Sequence, residues 1–344
     1  MTPASIAVTV IVPMRNEERR IGRCLDSILA NEFDHQQMEI LVVDGCSTDR
    51  SRAIVAERAA RGDTVKLLDN PAKIVSAALN IGIRNARGQV IIILGAHAEF
   101  SRTYIKTCLQ ELSARDADVV GGILETRPGE SSATAGAIAL MSQHPLGVGG
   151  SFRTKRKSGY VDTVPYGAYR REVFENVGLF NEQLVRNQDF EFNARVYGSG
   201  GKLFLSTKIS SVYYNVGKFR SLMRQAFNNG SWLPRMWITS PLSVRWRHVV
   251  PAAFVATLLA ALLLGSIARS SLIFAISLFA MYALAVTITA AQMARSEGGR
   301  LFFPLAATFV IHHFSYGAGT LAGFLACGVP LFAPRVLRPT NSRP

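Results

Sequence analysis

The stretch that decides the fold is Ala7-Val8-Thr9-Val10-Ile11-Val12-Pro13, followed at once by Met14-Arg15-Asn16-Glu17-Glu18. A run this rich in β-branched side chains reads as a strand, and Pro13 closes it where a helix is due to begin. The same grammar returns at Glu39-Ile40-Leu41-Val42-Val43, which runs into Asp44-Gly45-Cys46-Ser47-Thr48-Asp49. Further runs at Thr64–Leu68, Val90–Leu94 and Asp118–Gly121 alternate with helical patterns at Glu17–Ala30, Arg50–Arg61, Ile74–Ala86 and Arg102–Ala114. Such alternation predicts an α/β domain with a mostly parallel sheet and helices on both faces. Ligands of such sheets sit at the carboxyl ends of the strands, so the residues after Pro13 and Val43 are the first to search.

With 344 residues the chain can hold one large domain and a smaller appendage. The formal charge of +14 is unevenly placed: no acidic residue lies between Glu191 and Glu297. Over the first part of that interval Lys202, Lys208, Lys218, Arg220, Arg224, Arg235, Arg245 and Arg247 gather ahead of a long apolar run. A basic collar beside a membrane span attracts anionic headgroups and holds its flank on the cytoplasmic side. No nucleic-acid module accompanies the charge, so nucleic acid is not an expected partner. Cys24, Cys46, Cys108 and Cys327 show neither CxxC spacing nor an obvious pairing, which fits reduced thiols and argues against disulfides or zinc. The N-terminus lacks a basic leader, and Ile6–Val12 reads as a strand rather than a signal peptide.

Downstream, Gly147–Gly159 is a Gly-rich basic loop, followed by helical patterns at Arg171–Val177 and Gln188–Tyr197 and a short strand near Leu203. Phe219–Trp237 mixes Arg, Phe, Trp and Met as an interfacial helix does. Val249–Ala268 and Ser271–Ala294 carry no charged residue, and each reaches the ~20 residues that span a bilayer. Leu301–Ala333 is longer than one span needs and contains His312-His313, unusual inside lipid. The expected division is a catalytic domain over 1–218, an interfacial basic segment over 219–248, about three spans over 249–333 and a basic tail over 334–344. Three spans place the tail, with Arg335, Arg338 and Arg343, opposite the catalytic domain and against the positive-inside tendency.

Asp44 follows its strand where a carboxylate can accept from a base or ribose, Gly45 opens the backbone to a ligand, and Ser47 and Asp49 read as helix caps. Singly, each is an ordinary turn. Together, in this order, Pro13-Met14-Arg15-Asn16-Glu17 and Asp44-Gly45-Cys46-Ser47-Thr48-Asp49 resemble the nucleotide-sugar half of the family 2 (GT-A fold) glycosyltransferases. The resemblance implies a Rossmann-like mixed sheet, with Pro13, Arg15, Asn16, Glu17, Asp44 and Gly45 around the nucleotide. It continues through Asn70-Pro71 and Ala78-Leu79-Asn80-Ile81-Gly82-Ile83, with Lys73 in reach of the diphosphate. It also implies an Asp-x-Asp motif holding a divalent metal, manganese or magnesium, against that diphosphate. This chain reads Gly95-Ala96-His97 there, then Ala98-Glu99, so the candidate ligands are His97 and Glu99. Imidazole suits manganese better than magnesium.

On the acceptor side, Gly149-Gly150-Ser151-Phe152-Arg153 and Asp162–Arg171 resemble the family's acceptor loop and the strand after it, which singles out Gly150 and Arg153. Asn187-Gln188-Asp189-Phe190-Glu191-Phe192 opens a helix where the family carries a Glu-Asp-type motif. Inversion at an anomeric carbon needs one base, and Asp189 is the expected one, with Gln188 beside the acceptor and Glu191 at most supporting. The plainer reading of Asp189 is an acid stabilised in a helix's first turn. Gln225 and Trp232 stand where processive relatives have Gln-x-x-Arg-Trp; the Arg is missing, which fits addition of a single sugar. Trp232 reads equally well as an interfacial anchor.

Within the family the shape is most similar to the ExoA-type succinoglycan glucosyltransferases. That implies a UDP-glucose donor, a polyprenyl-diphosphate-linked saccharide acceptor, contact with membrane lipids and polysaccharide assembly partners. It also implies a multi-pass inner-membrane protein with a cytoplasmic catalytic domain. The competing expectations are a transferase acting on polyprenyl phosphate itself and a catalytically degenerate scaffold. A dinucleotide-dependent dehydrogenase is not expected, because no GxGxxG follows the first strand.

Overall fold

The structure, a computed structural model, is described for residues 6–62, 64–148, 152–153, 157–239 and 241–327. Gly150 and the basic tail lie outside these residues.

The first half runs β1 (Val8–Met14), α1 (Ile21–Leu29), β2 (Met38–Asp44), α2 (Ser51–Ala59), β3 (Val65–Asp69), α3 (Val75–Asn85), β4 (Val90–Ile93), β5 (Ala98–Phe100), α4 (Tyr104–Ala114), β6 (Val119–Arg127) and α5 (Ala133–Met141). The second continues through β7 (Gly159–Val161), β8 (Ala168–Arg170), α6 (Arg171–Val177), α7 (Gln188–Gly198) and β9 (Leu203–Tyr214). Four long helices close the described chain: α8 (Phe219–Thr239), α9 (Trp246–Leu264), α10 (Arg269–Glu297) and α11 (Phe302–Cys327).

One nine-stranded sheet carries the domain, in the order β3-β2-β1-β4-β8-β6-β9-β5, with β7 also on β9. β1, β2, β3 and β4 are parallel, as the strand–helix alternation requires. The short β8 then inserts antiparallel between β4 and β6, which makes the sheet mixed. Period-two alternation sorts the side chains. Val8, Val10 and Val12 face a core layer with Ile21, Leu25, Val55, Ile105 and Cys108 of α1, α2 and α4. Ile11 and Val43 face the opposite layer, with Leu79, Ile83, Phe174 and Phe192 of α3, α6 and α7. Each fully buried aliphatic side chain here contributes about 1.5–3 kcal/mol.

The expected short strand near Leu203 is a twelve-residue strand, β9. Its middle is polar, which hides it in the sequence, and the register against β6 shifts between Gly122 and Ile123. The bulge needs glycine: a Cβ at Gly122 would lie 2.1 Å from the Ile209 carbonyl oxygen. Helix α5 had no polar alternation to announce it. It is Ala-rich because it is packed between the sheet domain and the terminal helices, with Ile138 and Met141 against Leu222, Val286 and Phe309.

Three helices, Trp246–Leu264, Arg269–Glu297 and a 29-residue segment ending at Cys327, are long and apolar enough to cross a membrane. At 1.5 Å per residue α9 measures roughly 28 Å, close to the hydrocarbon thickness. They differ in surroundings. Exposed large apolar side chains crowd the α9–α10 turn, among them Leu259, Leu263, Ile267, Ile273, Ile276 and Met281. By contrast α11 is packed on α8, α9 and α5. Glycines at 317, 319 and 323 let it approach Pro251, Phe227 and Ser231 backbone to backbone.

Candidate active site

The carboxyl ends of β1 and β2 are laced together. Asn16 donates its backbone N–H to Ser47 Oγ at 2.9 Å and accepts from the Thr48 N–H at 2.8 Å. Glu17 N–H donates to Ser51 Oγ at 2.7 Å, and Arg50 N–H donates to Glu18 Oε2 at 3.1 Å. Ser47 and Asp49, expected as helix caps, instead tie the two loops together, since the N-cap of α2 is Arg50 and carries no side-chain cap bond. Backbone strain gathers here: Asn16, Cys46 and Lys73 have φ of 55°, 57° and 61°, and Tyr166 and Asn187 have 45° and 61°. Left-handed non-glycine residues of this kind collect at sites whose geometry is over-determined by their surroundings.

These turns surround a cavity of about 440 Å³. Pro13, Arg15, Glu17, Gly45, Lys73, His97, Arg153, Gln188 and Asp189, all singled out in the sequence, line it together. Gly45 sits between Arg15 and Lys73, where a Cβ would touch the Arg15 side chain at 3.4 Å and the Lys73 backbone at 3.5 Å. Three cationic side chains, Arg15, Lys73 and Arg153, therefore share one cavity with one helix-borne carboxylate.

Asp189 opens α7 after the left-handed Asn187. Asp189 is exposed to the cavity, and the protein around that cavity partly desolvates its carboxylate. Desolvation raises its pKa above the ordinary carboxylate value, against hydrogen bonds from the backbone N–H groups of Phe190 and Asp189 itself. Glu191, two residues on, is buried and paired with Arg195 at 2.6 Å. Arg195 in turn donates to the carbonyls of Val177 and Leu179, so Glu191 braces the loop before α7.

Other candidates fall elsewhere. Asp44 is fully buried; Ser47 Oγ donates to it at 2.5 Å and Arg52 Nη1 at 2.7 Å, and it does not line the cavity. Asn16 is likewise engaged in the loop clamp. Glu99, inside β5, opens onto a separate cleft with Arg19, Arg20 and Arg23, while His97, just before the strand, reaches both. Gln225 and Trp232 line neither this cavity nor the one beside the membrane helices, and Trp232 lies under Arg235 at 4.5 Å.

Two lining residues carry information that the motifs did not. Tyr166 explains the missing carboxylate at position 95: a Cβ on Gly95 would lie 2.8 Å from the Tyr166 ring and 3.0 Å from its hydroxyl. The ring occupies the space that a side chain at 95 would need. Asn70 donates to the Ile74 carbonyl at 2.9 Å, while its buried Oδ1 has no partner among the described residues. A hydrogen-bond acceptor left unpaired at a cavity wall is a place for a ligand donor.

Among the described residues no three His, Cys, Asp or Glu side chains converge to enclose a cation. His97 Nδ1 and Glu17 Oε1 face each other at 3.4 Å on the cavity wall, and both are part-exposed. Two donors by themselves do not enclose a cation.

Residues 9–178 match the family model of glycosyl transferase family 2. The chain is a family 2 glycosyltransferase. It is 28% identical over 266 residues to the dolichyl N-acetyl-α-D-glucosaminyl phosphate 3-β-D-2,3-diacetamido-2,3-dideoxy-β-D-glucuronosyltransferase of Methanococcus voltae, covering 75% of this glycosyltransferase and 82% of that protein. It is 28% identical over 262 residues to the succinoglycan biosynthesis protein ExoA of Rhizobium meliloti strain 1021, covering 75% and 78%. The mannosyltransferase PcManGT of Pyrobaculum calidifontis, solved with GDP-mannose and Mn2+, shares the fold at a TM-score of 0.59 and 18% identity, over 93% of this chain and 87% of that one.

Proposed function

We propose that this glycosyltransferase moves a hexose, glucose from UDP-glucose, with inversion onto a saccharide linked to polyprenyl diphosphate during exopolysaccharide assembly. The observation that carries the reading is a single cavity walled by both the strand-end residues Pro13, Arg15, Gly45 and Lys73 and the helix-borne carboxylate of Asp189. Two relatives support the acceptor class: one is named for a sugar on dolichyl phosphate, the other for succinoglycan biosynthesis.

In this reading the nucleotide lies over the β1 and β2 turns, where the unpartnered Asn70 Oδ1 accepts from the base. Arg15, Lys73 and Arg153 surround the diphosphate and stabilise the charge that develops as it leaves. The acceptor hydroxyl attacks the anomeric carbon from the Asp189 side. Asp189 takes the hydroxyl proton as the new C–O bond forms, and the old C–O bond breaks with its electron pair going to UDP. Neither of the other carboxylates nearby is offered as a covalent nucleophile: Glu191 is bound to Arg195, and Glu17 faces His97. A divalent cation, when present, would be held by His97 and Glu17 and would neutralise diphosphate charge. That pairing replaces the Glu99 assignment, because Glu99 opens onto the neighbouring cleft. The nitrogen-and-oxygen donor set favours manganese over magnesium.

The catalytic domain in this reading lies on the cytoplasmic side of an inner membrane, with the basic collar at the headgroups and the apolar α9–α10 turn inserted in lipid. The deciding experiment is transfer of labelled glucose from UDP-glucose into the lipid-extractable fraction of membranes carrying the protein. Label that depends on Asp189 supports the reading. Bound UDP without label from any hexose donor sinks it.

A further inference from the structure

A second cavity, of about 510 Å³, opens where the catalytic domain meets α8, α9, α10 and α11. It shares Phe152 and Arg153 with the cavity that holds Asp189, so the two spaces adjoin across one wall. Neighbouring residues of α7 serve both: Asp189 lines the first and Phe190 the second.

The walls of the second cavity are of two kinds. One is apolar and belongs largely to the start of α9, with Trp246, Val250, Pro251 and Phe254. The other presents Arg153, Arg247 and His312. Arg153 donates to Thr126 Oγ1 and lies over the Tyr213 ring at 5.0 Å, and among the described residues it has no carboxylate partner. Arg247 makes no ion pair among the described residues; its neighbour Arg245 takes Asp162 at 2.8 Å. The two histidines of α11 differ. His313 has both ring nitrogens engaged, with Tyr282 Oη at 3.1 Å and the Leu146 carbonyl at 2.7 Å. His312 Nδ1 is buried with no partner among the described residues. Because Leu146 belongs to the catalytic domain, the His313 contact also sets this turn of α11 level with that domain's surface, not deep in the apolar hairpin.

A hydrocarbon chain alone would leave the Arg247 guanidinium and the buried His312 ring nitrogen unanswered. A free phosphate would answer them and leave the α9 wall uncovered. Both walls are satisfied by an amphiphile with a phosphate at the head of an apolar chain. We propose that this cavity seats the phosphate-bearing end of the lipid-anchored acceptor, with Arg247 and His312 around the phosphate, Arg153 on the wall shared with the donor cavity, and the α9 wall along the chain. From that seat the attached sugar reaches Asp189 past Phe152 and Arg153. The proposal rests on the lipid-linked acceptor described above.

The test uses the purified full chain in neutral detergent, with undecaprenyl phosphate and undecaprenol as paired probes, read by quenching of tryptophan fluorescence. UDP binding is measured on the same samples by calorimetry. The phosphate form is expected to bind at least about tenfold tighter than the alcohol. Arg247→Gln and His312→Phe should each bring the two within about twofold while UDP affinity stays put. Equal binding of the two lipids by the wild type overturns the proposal, as does a preference that survives in both variants. Displacement of undecaprenyl phosphate by millimolar inorganic phosphate or by phosphatidylglycerol micelles overturns it too, assigning the cavity to a free anion or a bulk headgroup. A wild type that keeps the lipid preference but binds no UDP leaves the phosphate seat standing and overturns the transferase reading.

Discussion

Arg186 Nη1 donates to Asn229 Oδ1 at 3.0 Å, and this one bond joins the loop that presents Asp189 to the helix that leads into the membrane segment. Asn187, whose left-handed backbone opens α7, adds a weaker contact from its side-chain amide to the Asn229 carbonyl at 3.5 Å. The position of Asp189 is therefore coupled to the position of α8. Arg186→Ala and Asn229→Ala should each raise the acceptor KM with little change in UDP affinity. In a double-mutant cycle on kcat/KM the pair should couple by about 0.5–3 kcal/mol. Strict additivity would show that the bond does not position α7.

Asp189→Asn should lower kcat by about 10²–10⁴-fold and leave UDP affinity within a factor of about two. Labelled transfer and calorimetry measure the two quantities. Desolvation disfavours the charged form of Asp189, so the thermal midpoint of the Asn variant at neutral pH should equal or exceed that of the wild type.

The same desolvation gives the pH dependence a sign. A base must be ionised to accept a proton, and its folded pKa lies above the ordinary carboxylate range. The acid limb of kcat/KM should accordingly fall at higher pH than a solvent-exposed aspartate would give, with activity rising as pH rises through it. The limb should be absent from the residual activity of the Asn variant.

Gly95→Asp, which restores the family's usual carboxylate, should not restore a metal site, because the Tyr166 ring fills the space. Overpacking of this kind costs about 1–3 kcal/mol. The thermal midpoint should drop for Gly95→Asp and recover in part when Tyr166→Ala is added. An unchanged midpoint in the single variant would mean that the ring yields freely.

If His97 and Glu17 hold the cation, transfer should respond more strongly to manganese than to magnesium, and His97→Ala should remove the difference. A metal titration of initial rates on both proteins decides this. An equal metal response in His97→Ala would place the cation elsewhere.

Glu39 gives a test of the scaffold. It is buried, accepts from Thr9 Oγ1 at 2.8 Å, and takes the Arg87 backbone N–H at 2.7 Å and Nε at 2.8 Å. Burial pushes its pKa up, but these bonds outweigh it and hold the pKa below the ordinary value. For a depressed carboxyl the contribution to stability is present above the unfolded pKa and fades as pH falls through the folded one. Glu39→Ala should cost about 3 kcal/mol near neutral pH, with the gap to wild type narrowing in acid. Urea unfolding across pH measures it.

Much of the donor half was readable from the chain. Strands β1 and β2 announce themselves by β-branched runs, and residues just past a parallel strand are carried to its ligand-binding edge by the topology alone. That local rule pointed to Pro13, Arg15, Gly45 and Lys73, which line one cavity. It did not show that Asp44 would be covered, because its partner Arg52 comes from the next helix and the pairing depends on how α2 docks. Nor did it separate His97 from Glu99, since the start of β5 between them turns the second residue towards another cleft. The length of β9 was hidden by its polar middle, and α5 by a mostly apolar sequence that follows from its packing between the sheet domain and the terminal helices.

What the sequence determined by itself is whatever a short window of side chains dictates: the strand–helix alternation, the loops at the strand ends, and apolar helices long enough for a bilayer. The tertiary structure alone decided which of those residues meet. Asp189 is 176 positions from Pro13 in the chain, and only sheet closure brings them to one cavity. Tyr166 fills the room of a missing side chain at Gly95, and of two adjacent histidines His313 is spent on the catalytic domain while His312 is left open. The physical reason is the same in each case: adjacent helical residues point about 100° apart, and what each one meets is set by elements that lie far away in the chain.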